Sequence, residues 1–489
     1  MDCAFSCSRA DRVIHRAQRL LAASMLAFMP AMASAERLHR YDVGIASDLS
    51  RLSVHACFDG LPARLFASAP QAARFLRDLH VAGATTRTLH ADDEGITLEG
   101  IESGDCIEYA VDVAAAINAE LGRFAGRWER DVTTAPQLWL WRPMPADPDA
   151  DIEVTFDLPK GVDVSAPWQL VARNGNNVVY RVGHTPEDWP GIVAFGRFHV
   201  EDVAIPGAVL RVALIDADPP ANARIARAWV EHAARAVTTL YGEFPLASPQ
   251  ILLFPRGHSA DPVPWGMVVR GGGAAAQLYF DEYRTLEDLD ADWTATHELS
   301  HMLLPYLDDD DTWLSEGFAS YYQNVLRARA GMLTARQAWE ELAGGFERGR
   351  RDTRDESLLE TTRNMRREHA FMRVYWSGAA FVLLADLRLR RETDGRQSLD
   401  TALAELKRCC LPAERHWSGR ELLDKLNAIT GMKFFPELAD GIVASHAFPD
   451  LAAAYAELGL SIADGTLHFD DDTKAAALRD AIMRPHPPQ

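Results

Sequence analysis

The segment His297-Glu298-Leu299-Ser300-His301 holds two histidines four residues apart, with a glutamate directly after the first. On an α-helix, residues four apart share a face, so both imidazoles can address one metal ion. Glu298 is offset by one position, where a carboxylate can take a proton from water at the metal's open side. Pro305 ends that helix. Asp308 to Asp311 then supplies acidic, solvated capping residues for a second helix, Trp313-Leu314-Ser315-Glu316-Gly317-Phe318-Ala319-Ser320-Tyr321-Tyr322. So short a connection suits an antiparallel helix pair, with Gly317 allowing close approach. Glu316 then returns opposite His297 and His301 as a third ligand, and two His, one Glu and water make a four-coordinate catalytic zinc site. Upstream, Glu287, Asp288, Asp290 and Asp292 crowd the start of the motif helix, and Leu289, Trp293 and Thr296 are expected on its packed face. No EF-hand spacing surrounds Asp308–Asp311. Leu304 and Leu307 stand where a metzincin needs Gly and His.

The rest of the chain suits a folded, exported protein. It has 489 residues, 48% hydrophobic and 25% charged, which excludes disorder, collagen-like repeats and a many-span membrane protein. A formal charge of −20 repels phosphate backbones, so nucleic acid is excluded as a partner. Arg9, Arg12, Arg16 and Arg19 precede an apolar run from Leu20 to Met32, closed by Ala33-Ser34-Ala35. This reads as a secretory signal peptide over residues 1–35, with an uncleaved amphipathic start as the alternative. No later stretch is long enough for a membrane span, so the expected product is soluble and periplasmic or secreted, with no stable membrane anchor. Of the six cysteines, Cys3 and Cys7 leave with the signal. In an oxidising compartment Cys57 and Cys106, both on strand-like segments, can form a bridge, worth roughly 3–4 kcal/mol. Cys409 and Cys410 are neighbours, closer than the usual disulfide span, and read as free thiols.

Residues 36–217 have the rhythm of an antiparallel β-rich domain. Short alternating segments appear at Arg40–Ile45, Thr97–Leu98, Ile107–Val113, Gln137–Arg142, Ile152–Leu158, Val178–Val182, Val193–Val200 and Ala208–Ile215, with a helix expected over Gln71–Leu79. Trp139, Trp141, Trp168 and Trp189 are read as core rather than as a sugar platform. Pro219-Pro220 marks a boundary. A helix over Ala221–Tyr241 and strands at Gln250–Phe254 and Gln277–Phe280 follow, and helices dominate after Leu286. The expected layout is a β-rich domain (36–217), a metal-bearing catalytic domain (218–345) and its helical C-terminal part (346–489), an α+β multidomain fold.

The helix pair resembles the gluzincin metallopeptidases, the group that holds aminopeptidase N and the bacterial glycyl aminopeptidases. Val374-Tyr375-Trp376-Ser377-Gly378-Ala379-Ala380-Phe381 and Arg391-Glu392-Thr393-Asp394-Gly395 resemble the glycyl aminopeptidases more closely. That resemblance implies a thermolysin-like catalytic domain, one Zn2+ per chain held by His297, His301 and Glu316, and peptide or protein substrates hydrolysed by a Glu298-activated zinc-bound water. It also implies that Tyr375 donates to the oxyanion. Two departures stand out: the stretch from His301 to Glu316 is shorter than in the aminopeptidases, and Ser320 stands where relatives put an Asp that orients a ligand histidine. The sequence after Leu460 is also too short for the PDZ domain usual in that group. Relatives recognise the substrate's free amine with an acid in a Gly-rich edge strand. The segment expected to hold substrate here, Gly271-Gly272-Gly273-Ala274-Ala275-Ala276, has no carboxylate, although Asp281 and Glu282 lie nearby. Cleavage of internal bonds is therefore expected alongside, or instead of, aminopeptidase action. A zinc hydrolase of a non-peptide amide or epoxide, and a silent binding protein keeping the fold, are the alternative readings; oligomeric state is not legible.

Overall fold

A computed structural model describes residues 37–485, apart from positions 61, 84–86, 100, 103, 217–219 and 471. The expected signal peptide lies outside the described residues. From Arg37 onward the first layer is an eight-stranded sheet ordered Gln169–Asn174, Asn177–Val182, Ala150–Asp157, Arg37–Ile45, Arg51–Cys57, Cys106–Asp112, Leu76–Val81, Arg87–Thr88. All its neighbours run antiparallel except Arg37–Ile45 beside Ala150–Asp157. The first strand shows why the segments pair: Tyr41, Val43 and Ile45 point inward while Arg40 and Asp42 point to solvent. Two four-stranded sheets complete this part. They share with the large sheet a core containing Trp139, Trp141, Phe156, Trp168 and Tyr180. The tryptophans are core, as expected.

Two segments of the β-rich part differ from expectation. Gln71–Leu79 is one 3₁₀ turn at Ala72–Phe75 running into a strand at Leu76–Val81. Gln137–Arg142 is a helical turn at Pro136–Trp139, with a strand starting only at Arg142. In both, tertiary pairing overrides a short local pattern.

A second sheet carries the site. Its order is Val200–Ile205, Ala208–Leu214, Gln250–Pro255, Ala275–Phe280, Trp265–Val269. The three middle strands run parallel, and Trp265–Val269 closes one edge antiparallel to Ala275–Phe280. This sheet reaches back to Val200, so the expected boundary at 217/218 falls inside it, between the parallel neighbours Ala208–Leu214 and Gln250–Pro255. A helix over Pro220–Thr238 lays Ala226, Trp229, Val230, Ala233 and Val237 into the core beneath. Long helices follow, and Arg37–Gln489 forms one compact unit.

The cysteines divide as follows. Cys57 and Cys106 are directly opposite on adjacent antiparallel strands and are bridged, with Cα atoms 4.4 Å apart, the close spacing of a non-hydrogen-bonded pair. Cys409 and Cys410 are also bonded to each other at the end of the helix Leu399–Cys410, which corrects the expectation of free thiols. The usual Cα span describes bridges between separate segments; between neighbours the peptide unit fixes the separation, 3.7 Å here.

Candidate active site

The motif helix is short. A separate helix at Leu286–Ala291, closed by a Thr285–Asp288 capping box, takes up the upstream acids. The chain then breaks at Asp292, whose Oδ1 accepts from the Thr294 amide at 2.7 Å and starts the motif helix, Thr294–Ser300. Leu289 and Thr296 are buried as expected, whereas Trp293 is exposed and sets its ring 5.2 Å from that of His297. One 3₁₀ turn, His301–Leu303, carries the chain to an extended Leu304 ahead of Pro305. Buried Arg270 caps this end, its guanidinium donating to the carbonyls of His301 (2.5 Å) and Leu304 (2.8 Å).

Glu316 comes from the helix Thr312–Arg329 and does return opposite the histidines. Its Oε2 lies 3.1 Å from His297 Nε2 and 3.6 Å from His301 Nε2. One donor atom from each of the three residues falls within 4.8 Å of the others. The outer ring nitrogens are held as well: His297 Nδ1 meets Gln323 Oε1 at 2.8 Å and His301 Nδ1 meets Ser315 Oγ at 3.1 Å. Gln323, two helical turns beyond Glu316, thus fills the orienting place that Ser320 leaves empty. Ser315 and Gln323 were both missed in the sequence; the signal was their position on the same helix, one residue before Glu316 and seven after it.

Two backbone contacts assemble the rest. The Glu316 helix crosses the helix Phe371–Glu392 at a pair of glycines: a Cβ on Gly317 would meet Gly378 backbone at 2.4 Å, and one on Gly378 would meet Trp313 O at 1.9 Å. Gly317 therefore serves this crossing, and one turn before Gly378 the ring of Tyr375 stacks on His297 at 6.0 Å between centroids. The second contact is at the sheet edge, where a Cβ on Gly266 would meet Glu298 Cγ at 2.5 Å. Trp265–Val269 therefore lies directly on the motif helix, with its outer edge unpaired among the described residues. Sequence reading missed this strand; its Val268-Val269 pair between Pro264 and Gly271 was the available signal.

Electrostatics suit the arrangement. Burial opposes charge on Glu316, but the imidazoles of His301 and His297 outweigh it and hold the carboxyl well below the usual range. Glu298 is raised by burial, and the charge of Glu316 adds to this. Burial also pushes the Tyr375 phenol up, helped by Glu316 and Glu298, so it stays a hydrogen-bond donor at any ordinary pH.

Gly271, Gly272 and Gly273 are not at this site. The Gly271 amide donates to Pro190 O (2.7 Å) and the Gly272 amide to Thr185 Oγ1 (2.7 Å), while Gly272 O accepts from the Gly183 amide (2.8 Å). A Cβ on Gly273 would sit 1.9 Å from Pro167 O. The triplet is the joint against the β-rich part, and the backbone groups of Gly271 and Gly272 are taken there. Asp308–Asp311 stand, as expected, at the start of the Glu316 helix with Asp309 and Asp310 exposed, and three of them also take partners: Asp308 pairs with His416 (3.1 Å), Asp310 with Arg363 (2.6 Å), and Asp311 accepts from the Gly419 amide (2.6 Å).

Residues 305–379 match the M61 glycyl aminopeptidase family, a span that starts just past His301 and includes Glu316 and Tyr375. The chain thus resembles the aminopeptidase-like gluzincin metallopeptidases. Its fold agrees with solved M1 structures. An aminopeptidase N family protein from Idiomarina loihiensis superposes with a TM-score of 0.64 at 14% identity, over 86% of this chain and 78% of that one. An M1 zinc metallopeptidase from Deinococcus radiodurans gives 0.50 at 16% identity, over 85% and 94%. A mutant two-domain M1 zinc metallopeptidase bound to L-tryptophan gives 0.52 at 16% identity, over 85% and 95%. No curated protein matches the chain. Among the described residues no helix is long and apolar enough to cross a membrane.

Proposed function

We propose that this chain is an exported gluzincin-like peptidase that holds one Zn2+ per chain between His297, His301 and Glu316 and cuts peptide bonds with Glu298 as general base. The observation carrying the proposal is the convergence of two imidazole nitrogens and one carboxylate oxygen within 4.8 Å, in a buried setting with Glu298 beside them. Two nitrogens and one oxygen suit a borderline ion and leave a coordination position open. Zn2+ there supplies Lewis acidity, polarising a scissile carbonyl and acidifying water. Gln323 and Ser315 fix the ring orientations, so the chelating nitrogens need little reorganisation.

The raised pKa of Glu298 suits a base that takes a proton from water and returns it to the leaving amine. Tyr375, kept protonated, donates to the oxyanion as charge builds on the carbonyl oxygen. The unpaired edge of Trp265–Val269 favours an extended peptide over a small amide or epoxide, because a peptide backbone can add to it as a further strand. That strand has no ionisable side chain. Asp281 is engaged by the Ser259 and Tyr283 amides and Arg284, and Glu282 by the Gly257 amide. A substrate ammonium has no matched acid there, which favours cleavage that does not require a free amino terminus. Export is supported by the charged, then apolar, residues 1–35 and by the Cys57–Cys106 bridge.

The test is metal analysis beside a peptide series with free and acetylated amino termini. Zinc at one per chain is expected, and Glu298→Gln keeps the metal but loses at least the roughly 10²–10⁴-fold that a general base contributes. Full activity in that variant sinks the mechanism. Abolition of cleavage by acetylation throughout the series makes the enzyme an obligate aminopeptidase.

A further inference from the structure

A second cluster of metal-ligating side chains lies on the outer face of the eight-stranded sheet, away from the zinc helices. Three adjacent strands, Arg51–Cys57, Cys106–Asp112 and Leu76–Val81, build it. His55 stands opposite Glu108, and Glu108 opposite His80, forming one rung; Cys57 and Cys106 form the next rung on the same face. Glu108 is pinned between the two rings, with Oε1 at 3.1 Å from His55 Nδ1 and Oε2 at 3.2 Å from His80 Nε2. A carboxylate accepting from Nδ1 leaves Nε2 free to ligate and fixes where it points. Here it points at sulfur: His55 Nε2 is 3.3 Å from Cys57 Sγ. His55 Nε2 and the two sulfurs all lie within 4.8 Å of one another. All five side chains are only partly buried, so ions and reductants can reach them.

We infer that the Cys57–Cys106 pair is a clip with two closed states: a disulfide when oxidised, and, when reduced, a metal site in which Cys57, Cys106 and His55 take a thiophilic divalent cation such as Zn2+. The redox step is a two-electron exchange with a dithiol. The Sγ–Sγ bond breaks, the dithiol's two electrons and two protons convert the pair to thiols, and the dithiol leaves as its own disulfide. The cation then displaces both thiol protons to solvent and binds two thiolates and a neutral imidazole, with the remaining position left to water. The arrangement is more than two cysteines that happen to be near a histidine. The carboxylate–histidine pair already has the orientation such a site uses, and the strands beneath hold it in register in either state. The metal would keep the ends of these two central strands tied when the disulfide is lost.

Cd2+ is the probe, because thiolate-to-cadmium charge transfer reports sulfur ligation and is silent for the two-histidine, one-glutamate site. The full chain is used with Cys3, Cys7, Cys409 and Cys410 each replaced by Ser, which removes the other thiols. Oxidised protein is expected to show no charge-transfer band. Reduced protein, checked by circular dichroism to retain its fold, is expected to titrate one band per chain, with Zn2+ competing for it. His55→Ala, which leaves the disulfide intact, is expected to weaken the reduced site by at least the roughly 10–100-fold that losing an orienting partner costs. Glu108→Gln should weaken it less. Absence of the band in reduced protein, or an unchanged affinity in His55→Ala, overturns the proposal.

Discussion

Gly378→Ala is a one-methyl change that tests how Glu316 and Tyr375 are brought together. The added Cβ would lie 1.9 Å from Trp313 O and 2.7 Å from Gly317 Cα, both backbone atoms that cannot rotate away. Restoring ordinary contact requires the two helices to separate by about 1.5 Å at their crossing. Overpacking of that kind costs about 1–3 kcal/mol, and the helix preference of Ala over Gly returns up to about 1 kcal/mol. The net expectation is a destabilisation of about 1–2 kcal/mol, a shift of a few degrees in Tm. Activity should suffer more. Tyr375 is one turn from the crossing and Glu316 adjoins Gly317, so the phenol moves relative to the ligand carboxylate. A displacement near 1 Å in a reacting constellation costs about 10²-fold. The assay pairs thermal unfolding with kcat and KM on a peptide substrate, and the loss should fall on kcat. Gly441→Ala is the control: it is also helical, its Cβ meets nothing within 4 Å, and it should be neutral or slightly stabilising. A Gly378→Ala enzyme with wild-type Tm and kcat would refute the claim that this crossing positions the two groups.

Gln323→Leu removes the acceptor for His297 Nδ1 inside a buried site, and zinc affinity measured against a chelator should fall about 10–100-fold; Gln323→Glu, which keeps an acceptor, should retain most of it. Glu187, whose carboxylate oxygens lack hydrogen-bond partners, has its carboxyl pushed by burial from about 4.5 to about 7. The fold therefore holds a proton there that the unfolded chain releases at lower pH. The associated stability is complete below the unfolded value and declines as pH rises through about 7. With its partial exposure discounted, the amplitude is about 2 kcal/mol, and Glu187→Gln should flatten denaturation midpoints between pH 5 and about 8.

The parts of the fold and site that were legible from sequence are those written in local pattern. Two histidines four apart share a face through the 3.6-residue period alone, and the short connection to the next helix was enough to suggest that Glu316 returns opposite them. The Cys57–Cys106 bridge, between segments 49 residues apart, was reached from the strand character of both segments and an expected oxidising compartment rather than from periodicity. What was not legible depends on packing between distant segments. Nothing local to Gln71–Leu79 reveals that its second half pairs with Cys106–Asp112. Nothing local to Ser320 reveals that an orienting acceptor arrives three residues later, because which face of that helix meets His297 is fixed by the Gly317–Gly378 crossing. The capping place of Asp308–Asp311 was legible, but its partners Arg363, His416 and Gly419 were not, because they come from chain more than fifty residues away.

The glycines show the same limit most sharply. Gly271–Gly273 drew attention as a Gly-rich run ahead of the motif helix, yet the glycine that touches Glu298 is the isolated Gly266. A glycine run signals that backbones come close but not which ones. Here the run admits Pro167, Gly183, Thr185 and Pro190 from the β-rich part, and Trp168 Nε1 donates to Gly271 O at 3.2 Å. The run follows directly on Arg270, whose guanidinium holds the carbonyls of His301 and Leu304, and on the edge strand that carries Gly266. The β-rich part therefore braces, through one short turn, both the edge offered to substrate and the end of the motif helix. Its function here is structural support of the site, and a side chain introduced at Gly272 or Gly273 would act on catalysis by loosening that brace, although neither residue touches the reacting groups.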